Sequence, residues 1–299
     1  MIKNNLKRFS IVAFSLVALN LVGCSGKSSE EKKSEDSTYS DQLDNKIMGI
    51  DAGSGVVQAA DKAVKDYDTK FTVQTSSGAA MTQALSDAIE KKEPIIITGW
   101  SPHWMFKKYD LKYLDDPKKS FGGAEHINTV ARKGLKKDMP DAYKILDQFF
   151  WTSEDMEAVM LKINDGGDVK EVARQWITEN PDKVSKWTKG TKKANGEEIK
   201  LAYVAWNTEI ASTNVIGLVL EDMGYKVKLT QVDAGPMFAA VASGDADAIV
   251  AAWLPGTHAK YMEDYKGKIE DLGPNLEGAK IGLVVPSYMD IDSIEDLAK

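Results

Sequence analysis

The chain has 299 residues, a formal net charge of −7 and 43% hydrophobic residues. This length allows two domains, each with its own core. The acidic balance, with no basic run after the N-terminus, argues against nucleic acid or an anionic membrane surface as a partner. Cys24 is the single cysteine, which excludes an intramolecular disulfide and a cysteine metal cluster.

The N-terminus has the features of a secretory signal peptide. Its first eight residues carry three basic side chains and no acidic one, and residues 9–23 are almost entirely apolar. This apolar run is short for a transmembrane helix and typical of a signal peptide. The sequence LVGC, which ends at Cys24, resembles a bacterial lipobox. That resemblance implies that residues 1–23 are removed and that Cys24 carries a diacylglycerol anchor; the alternative is an ordinary free or buried cysteine.

A polar segment follows the lipobox. Residues 24–45 are rich in charged and small polar side chains and nearly free of aliphatic ones. Such a segment cannot bury enough apolar surface to order itself. We therefore predict a disordered tether that holds a folded body away from a membrane surface.

The rest of the chain contains one pattern twice. In each half, three strand-like runs alternate with helix-like runs, and the third strand ends in tryptophan, so that Trp100 lies 45 residues after Gly55 and Trp253 lies 45 residues after Thr208. This order predicts two β-α-β-α-β units, each with a small parallel sheet. Two unrelated α/β domains with the same rhythm are the alternative. The predicted strands are 46–51, 71–75 and 94–100 in the first half, and 201–206, 227–232 and 248–253 in the second.

A helical segment separates the two halves. Residues 138–196 contain three helix-like runs, in which Trp151, Trp176 and Trp187 occupy apolar positions. We interpret these tryptophans as core residues.

Two further strand-like runs occupy corresponding places after the two halves. They span residues 127–132 and 280–286, and we expect them to cross between the halves as a two-stranded hinge. The predicted fold is therefore α/β, a two-lobed arrangement like the type II periplasmic binding proteins. The predicted lobes are residues 46–130 plus 285–299 for lobe 1 and residues 131–284 for lobe 2.

The chemistry of the predicted cleft favours binding over catalysis. Ligands of such sheets lie beyond the carboxyl ends of the strands, where this chain offers mainly tryptophan, glycine, serine and threonine. The sequence contains no G-x-S-x-G, Walker A or H-E-x-x-H pattern and only three histidines. We therefore predict neither an enzyme nor a metal site, and no cofactor.

Three tryptophans end strands that point at this cleft, namely Trp100, Trp206 and Trp253. Each could instead cover its own sheet as a core residue. Indole faces suit a quaternary ammonium group, because the negative face attracts the cation and the ring area buries the methyl groups. The pattern therefore indicates an aromatic cage for a trimethylammonium group.

An anion site would distinguish betaine from choline. The loop Gly53-Ser54-Gly55 lies between a strand and a helix, where backbone N–H groups can bind a carboxylate. His258 could add a donor from the other half. The alternatives are a tight turn for the loop and an exposed loop position for the histidine.

A family resemblance is carried by four long segments in the same order: IMGIDAGSG, EPIIITGWSPHWMFKKYDLKYLDDP, LAYVAWNTEIASTNVIGLVLED and AAWLPGTH. Through them, nearly the whole chain after the signal peptide resembles the glycine betaine/proline betaine-binding lipoproteins of Gram-positive osmoprotectant importers, the OpuAC-like group.

The resemblance implies a role for each motif. It implies that Trp100, Trp206 and Trp253 surround the quaternary ammonium, and that the main-chain amides of Gly55 and Val56 hold the carboxylate together with His258. It also implies an ABC permease and an ATPase as partners, and a lipid-anchored position on the extracytoplasmic face of the cell membrane. The expected ligands are glycine betaine and proline betaine, taken up for osmoprotection.

Three other functions stay open at this point. The first is a choline- or carnitine-selective binding protein of the same importer class. The second is a metal- or amino-acid-binding lipoprotein, and the third is a lipoprotein enzyme on the cell surface.

Overall fold

A computed structural model describes residues 39–298 of the chain. The predicted signal peptide and Cys24 lie outside the described residues. Within residues 39–298, no helix is both long and apolar enough to cross a bilayer. At the start of this range, the Tyr39 hydroxyl accepts a hydrogen bond of 2.9 Å from the Asp290 backbone N–H, which attaches the end of the predicted tether to the body.

The first half contains a small parallel sheet with helices packed against it. Strand β1 pairs in parallel with both β2 and β3, as the repeated pattern predicts. The sequence of α3 explains why this segment is a helix. The Ser77 side chain caps its first turn, and Met81, Leu85 and Ala88 form its buried face. The elements are α1 Tyr39–Gln42, β1 Lys46–Met48, α2 Gly55–Asp66, β2 Thr72–Gln74, α3 Gly78–Lys91, β3 Ile97–Ser101, α4 Met105–Lys108 and β4 Leu111–Tyr113.

The second half repeats this arrangement after a helical segment. Strand β6 pairs in parallel with β7 and β8, and every residue of β8 is buried. The elements are β5 Glu125–Arg132, α5 Leu135–Asp138, α6 Pro140–Gln148, α7 Ser153–Asn164, α8 Val169–Glu179, α9 Pro181–Trp187, β6 Glu198–Tyr203, α10 Asn207–Asp222, β7 Lys226–Gln231, α11 Ala234–Ser243, β8 Ala248–Leu254, α12 Ala259–Asp264, β9 Ile269–Pro286 and a final 3₁₀ helix, Ile294–Ala298.

Strand β9 joins the two half-sheets. Its residues 269–279 pair antiparallel with β5, and its residues 280–284 pair antiparallel with β3. The strand order is β2-β1-β3-β9-β5-β8-β6-β7, with β4 also paired to β9. The two parallel units and the two central linking strands confirm the predicted two-lobed α/β fold. The exact limits of the two lobes stay a prediction.

The helical segment between the halves differs from the prediction at one point. Residues 169–187 read as one continuous helical run, but the structure breaks this run into α8 and α9. The break falls at Asn180 and Pro181, because proline disfavours helical geometry in the residue before it and lacks the N–H that would continue the helix. The predicted burial of Trp151, Trp176 and Trp187 is confirmed, with at most 5% of each side chain exposed.

Candidate functional site

One cavity lies at the carboxyl ends of the strands, between the two halves. Five residues predicted for ligand binding line it together: Gly55, Val56, Trp100, Trp206 and Trp253. Ser54, which belongs to the predicted anion loop, shares this wall with four residues that had no predicted role: Ile50, Thr208, Thr257 and Ile281. Its wall is almost entirely apolar, which suits a ligand with a large apolar surface.

Two of the tryptophans that line the cavity are held in place by hydrogen bonds from the indole N–H to a carboxylate. The Trp206 indole N–H donates to Asp51 Oδ2 over 3.0 Å, and the Trp253 indole N–H donates to Glu209 Oε1 over 3.2 Å. The first of these hydrogen bonds joins the second half of the chain to the first. The indole N–H groups are therefore satisfied by protein acceptors. Both rings also line the cavity, where a ligand can contact them.

Trp100 is positioned by a different contact. Its ring meets the ring of His103 edge to face, with 4.7 Å between the ring centroids. Only 5% of Trp100 and 4% of Trp253 are exposed, so these two rings are held inside the molecule and line the cavity from opposite halves.

The N-terminus of α2 supplies backbone donors to the cavity. Gly55 is the first residue of α2, and the N–H groups of a first helical turn have no acceptor within the helix. The side chain of the preceding Ser54 does not cap them; its hydroxyl donates to the Asp51 carbonyl oxygen over 2.7 Å. The amides of Gly55 and Val56, together with the positive end of the helix dipole, can therefore bind an anion.

Gly55 also marks where the two halves touch. A Cβ atom built at Gly55 would overlap Thr257 Cγ2 and lie 3.1 Å from the Thr257 carbonyl oxygen. The loop that carries Thr257 is held in turn by the buried Glu125, which accepts from the Gly256 N–H over 3.0 Å and from the Thr257 hydroxyl over 2.7 Å. Glycine at position 55 is therefore needed for the close approach of the halves.

We predict that Gly55→Ala weakens ligand binding by about tenfold, which corresponds to the usual cost of overpacking a tight contact. The substitution keeps the backbone N–H, so the loss would come from impaired closure. Gly78→Ala is the matched control, because Gly78 is the first residue of α3 and a Cβ there has no neighbour within 4 Å. Isothermal titration calorimetry of both variants checks this, and equal affinities for the two would contradict it.

His258 is a buried neutral donor next to the cavity. Its Nδ1 accepts the Trp253 backbone N–H over 3.0 Å, so the proton of the neutral ring is on Nε2. Nε2 is buried and has no hydrogen-bond partner within residues 39–298. Burial lowers the pKa of His258 to about 3. The ring stacks on Trp206 with 6.5 Å between centroids, although His258 does not itself line the cavity wall with Trp206.

A second buried histidine lies behind Trp100. His103 is fully buried, its Nε2 lies 3.4 Å from Asn207 Oδ1 across the two halves, and its Nδ1 accepts the Met105 backbone N–H over 3.3 Å. Burial lowers its pKa to about 3. The ring is therefore neutral in the folded protein at ordinary pH.

This histidine predicts a pH dependence of stability. The folded-state pKa of His103 lies below the unfolded value of 6.5. Between these two pH values, the histidine is protonated in the unfolded chain and neutral in the folded protein. Its contribution to stability is complete above pH 6.5 and is lost as the pH falls toward 3. Between pH 7 and 5, wild type should lose about 2 kcal/mol more free energy of unfolding than His103→Asn, which retains an acceptor for the amide. Urea unfolding at both pH values checks this; identical losses would contradict it.

The described residues offer no metal site. Within residues 39–298, no group of three or more histidine, cysteine, aspartate or glutamate side chains is placed to hold a metal ion. Three of the four wall residues without a predicted role lie inside the motifs that carry the family resemblance, so their position in the sequence could have indicated them. Ile281 is the exception, since it belongs to an apolar strand without any local signal.

Comparison with known proteins identifies the family of this chain. The model for the substrate-binding domain of the ABC-type glycine betaine transport system matches residues 27–179 and 197–299. The glycine betaine/carnitine transport binding protein GbuC of Listeria monocytogenes is 58% identical over 261 residues, which cover 86% of this chain and 87% of that protein. The chain therefore belongs to the family of substrate-binding domains of ABC-type glycine betaine transport systems. This membership confirms the prediction of a binding protein and not an enzyme.

Two further comparisons cover smaller parts of the chain. A crystal structure of lactococcal OpuAC, closed on glycine betaine, is 51% identical and covers 52% of this chain and 61% of that chain, with a TM-score of 0.49. The match therefore spans about three fifths of that solved protein. An uncharacterized protein of Chromohalobacter salexigens is 32% identical over 106 residues, which cover 34% of this chain and 68% of that protein.

Proposed function

We propose that this protein captures glycine betaine, and also proline betaine, and delivers it to an ABC importer outside the cytoplasm. The observation that carries the proposal is the cavity itself, where Trp100, Trp206 and Trp253 lie on one wall with the N-terminus of α2. The family membership supports the same ligand class. A zwitterion with a methylated cation and a carboxylate complements both parts of this wall.

Each end of the ligand has its own partners in this proposal. The trimethylammonium group lies among the three indole rings, which attract its diffuse charge and bury its methyl groups. The carboxylate accepts hydrogen bonds from the backbone N–H groups of Gly55 and Val56 and from His258 Nε2. Because these groups come from both halves, bound ligand stabilises the contact between the halves.

A carnitine- or choline-selective protein is the second candidate. The name of the Listeria relative includes carnitine, and carnitine has the same two charged groups as betaine with a longer spacing. Choline lacks the carboxylate and would leave the donors of Gly55, Val56 and His258 without a charged acceptor.

A titration of the folded body tests the proposed function. The chain from residue 25 onward is titrated with glycine betaine, proline betaine, carnitine, choline and glycine, with heat and tryptophan fluorescence as readouts. We expect saturable binding of the two betaines and no binding of glycine, which lacks the methyl groups. If choline binds as tightly as betaine, the carboxylate site is wrong; if glycine binds best, the aromatic cage is wrong.

We further propose that Cys24 anchors the protein to the membrane in front of its permease and ATPase. The lipobox-like sequence LVGC supports this. Cys24→Ala should release the protein from the membrane fraction into the medium or the soluble fraction while leaving its affinity for betaine unchanged. Fractionation with immunodetection measures the first effect, and continued membrane association of the variant would overturn the anchor.

A further inference from the structure

A buried carboxylate lies directly behind the aromatic cage. Glu209, near the start of α10, is fully buried. Its Oε1 accepts from the Trp253 indole N–H over 3.2 Å, and its Oε2 accepts from the Thr208 hydroxyl over 2.6 Å. Both donors belong to residues that line the cavity. Within residues 39–298, no cationic side chain pairs with Glu209.

Hydrogen bonding alone does not explain a carboxylate at this position. A glutamine could accept from the same indole N–H and exchange a hydrogen bond with the same hydroxyl. A buried carboxylate without a cationic partner costs much more free energy than a buried amide. Burial accordingly raises the pKa of Glu209 to about 7. With a pKa near 7 the group is only partly ionised at neutral pH, and the presence of an ionisable group at this buried position needs an explanation beyond the local contacts.

The ligand's cation supplies that explanation. Trp253 stands between the Glu209 carboxylate and the cavity, and a carboxylate that accepts the indole N–H increases the negative charge on the ring. A more negative ring attracts a cation more strongly. The carboxylate also attracts the cation directly, and this attraction is large where water is excluded. In the proposed function, the ligand's own carboxylate binds at the N-terminus of α2, in the other half.

We propose that Glu209 is a positioning residue that fixes Trp253 and, through its negative charge, strengthens the attraction of the cage for a quaternary ammonium cation. The proposal rests on the proposed function of the cavity and adds a determinant of specificity to it. It makes the cage selective for a cation over a neutral group of the same shape.

A pair of ligands that differ only in charge separates this role from a structural one. Glycine betaine is compared with 3,3-dimethylbutanoate, in which a neutral carbon replaces the ammonium nitrogen and the carboxylate is retained. Dissociation constants for both are measured with wild type, Glu209→Gln and Glu209→Asp, by calorimetry or by competition. The informative quantity is the dissociation constant of the neutral analogue divided by that of betaine, because a reversible equilibrium with a state that cannot bind weakens both affinities by the same factor.

We expect Glu209→Gln to weaken the binding of betaine about tenfold and that of the neutral analogue less than about threefold. The preference for betaine over the analogue, expressed as the ratio of their dissociation constants, therefore falls toward one. Glu209→Asp, which keeps the charge, should keep most of the wild-type ratio. Glu125→Gln is the matched control, since Glu125 is a buried carboxylate that holds the Thr257 loop and, within residues 39–298, shows no hydrogen bond to a cage ring. That control should weaken both ligands equally.

Equal losses for both ligands in Glu209→Gln would overturn the charge role, and so would an unchanged affinity for betaine. Failure of wild type to bind betaine at all is a different result. It would refute the proposed function of the cavity, whatever the Glu209 variants do.

Discussion

Trp253→Ala is expected to weaken glycine betaine binding by about 100-fold, because a desolvated cation–π contact and the buried ring area are lost together. Trp100→Ala and Trp206→Ala should each cause a severe loss as well. Trp253→Phe should weaken betaine binding less, by about tenfold, because a smaller aromatic face remains. Calorimetric titration of the four variants measures these effects.

The loss must be separated from damage to the fold. Trp176→Phe is the matched control, because Trp176 is equally buried but packs with Trp151 and Trp187 in the helical segment. It should leave the affinity for betaine within about twofold of wild type even if it lowers stability. Retained affinity in all three alanine variants of the cage would falsify the aromatic site.

The three alanine variants also test how the halves are coupled. Trp100 belongs to the first half, whereas Trp206 and Trp253 belong to the second, and the Trp206–Asp51 hydrogen bond already links the halves. A ligand that contacts rings from both halves stabilises the contact between the halves. The affinity lost in each alanine variant therefore includes the loss of this stabilisation. Under the proposed function, the cage would therefore both bind the ligand and hold the two halves together.

The repeated pattern allowed most of the fold to be predicted, because strand–helix alternation and buried apolar runs are local features. The carboxyl-end rule then placed the cavity and its three tryptophans without any coordinates. The first part of β9 was missed, since residues 269–279 contain glycine, proline and acidic side chains. Pairing with β5 forms this part of the strand, and such long-range pairing leaves no local signal.

The same distinction holds for the site. The backbone anion site at Gly53-Ser54-Gly55 follows from a strand–loop–helix reading, and the family resemblance adds the Val56 amide. Neither predicts the carboxylate partners of the indole rings. Glu209 reads as an ordinary acidic residue in the first turn of a helix, and Asp51 as a polar loop residue. Only the packing of α10 against β8 buries Glu209 beside Trp253. Contacts between distant side chains therefore required the structure.

His258→Ala is expected to weaken the binding of glycine betaine by about 30-fold, because a hydrogen bond to a charged acceptor contributes about 2 kcal/mol. The binding of choline, which lacks the carboxylate, should weaken by less than about threefold. His258→Asn refines the test, since its amide oxygen can still accept the Trp253 backbone N–H while the Nε2 donor is removed. His126→Ala is a control histidine on β5, outside the cavity wall. Equal losses for betaine and choline would remove His258 from the carboxylate site.

The pH dependence of these affinities identifies the protonation state of the donor. An imidazolium would bind a carboxylate more tightly, so a histidine with its ordinary pKa would strengthen betaine binding as the pH falls from 8 to 5. Burial holds the pKa of His258 at about 3, so the neutral ring donates from Nε2 throughout this range. The ratio of wild-type to His258→Asn affinity should therefore stay constant from pH 8 to 5. A ratio that rises toward low pH would show that the ligand's carboxylate draws a proton onto His258, and the donor would then be charged.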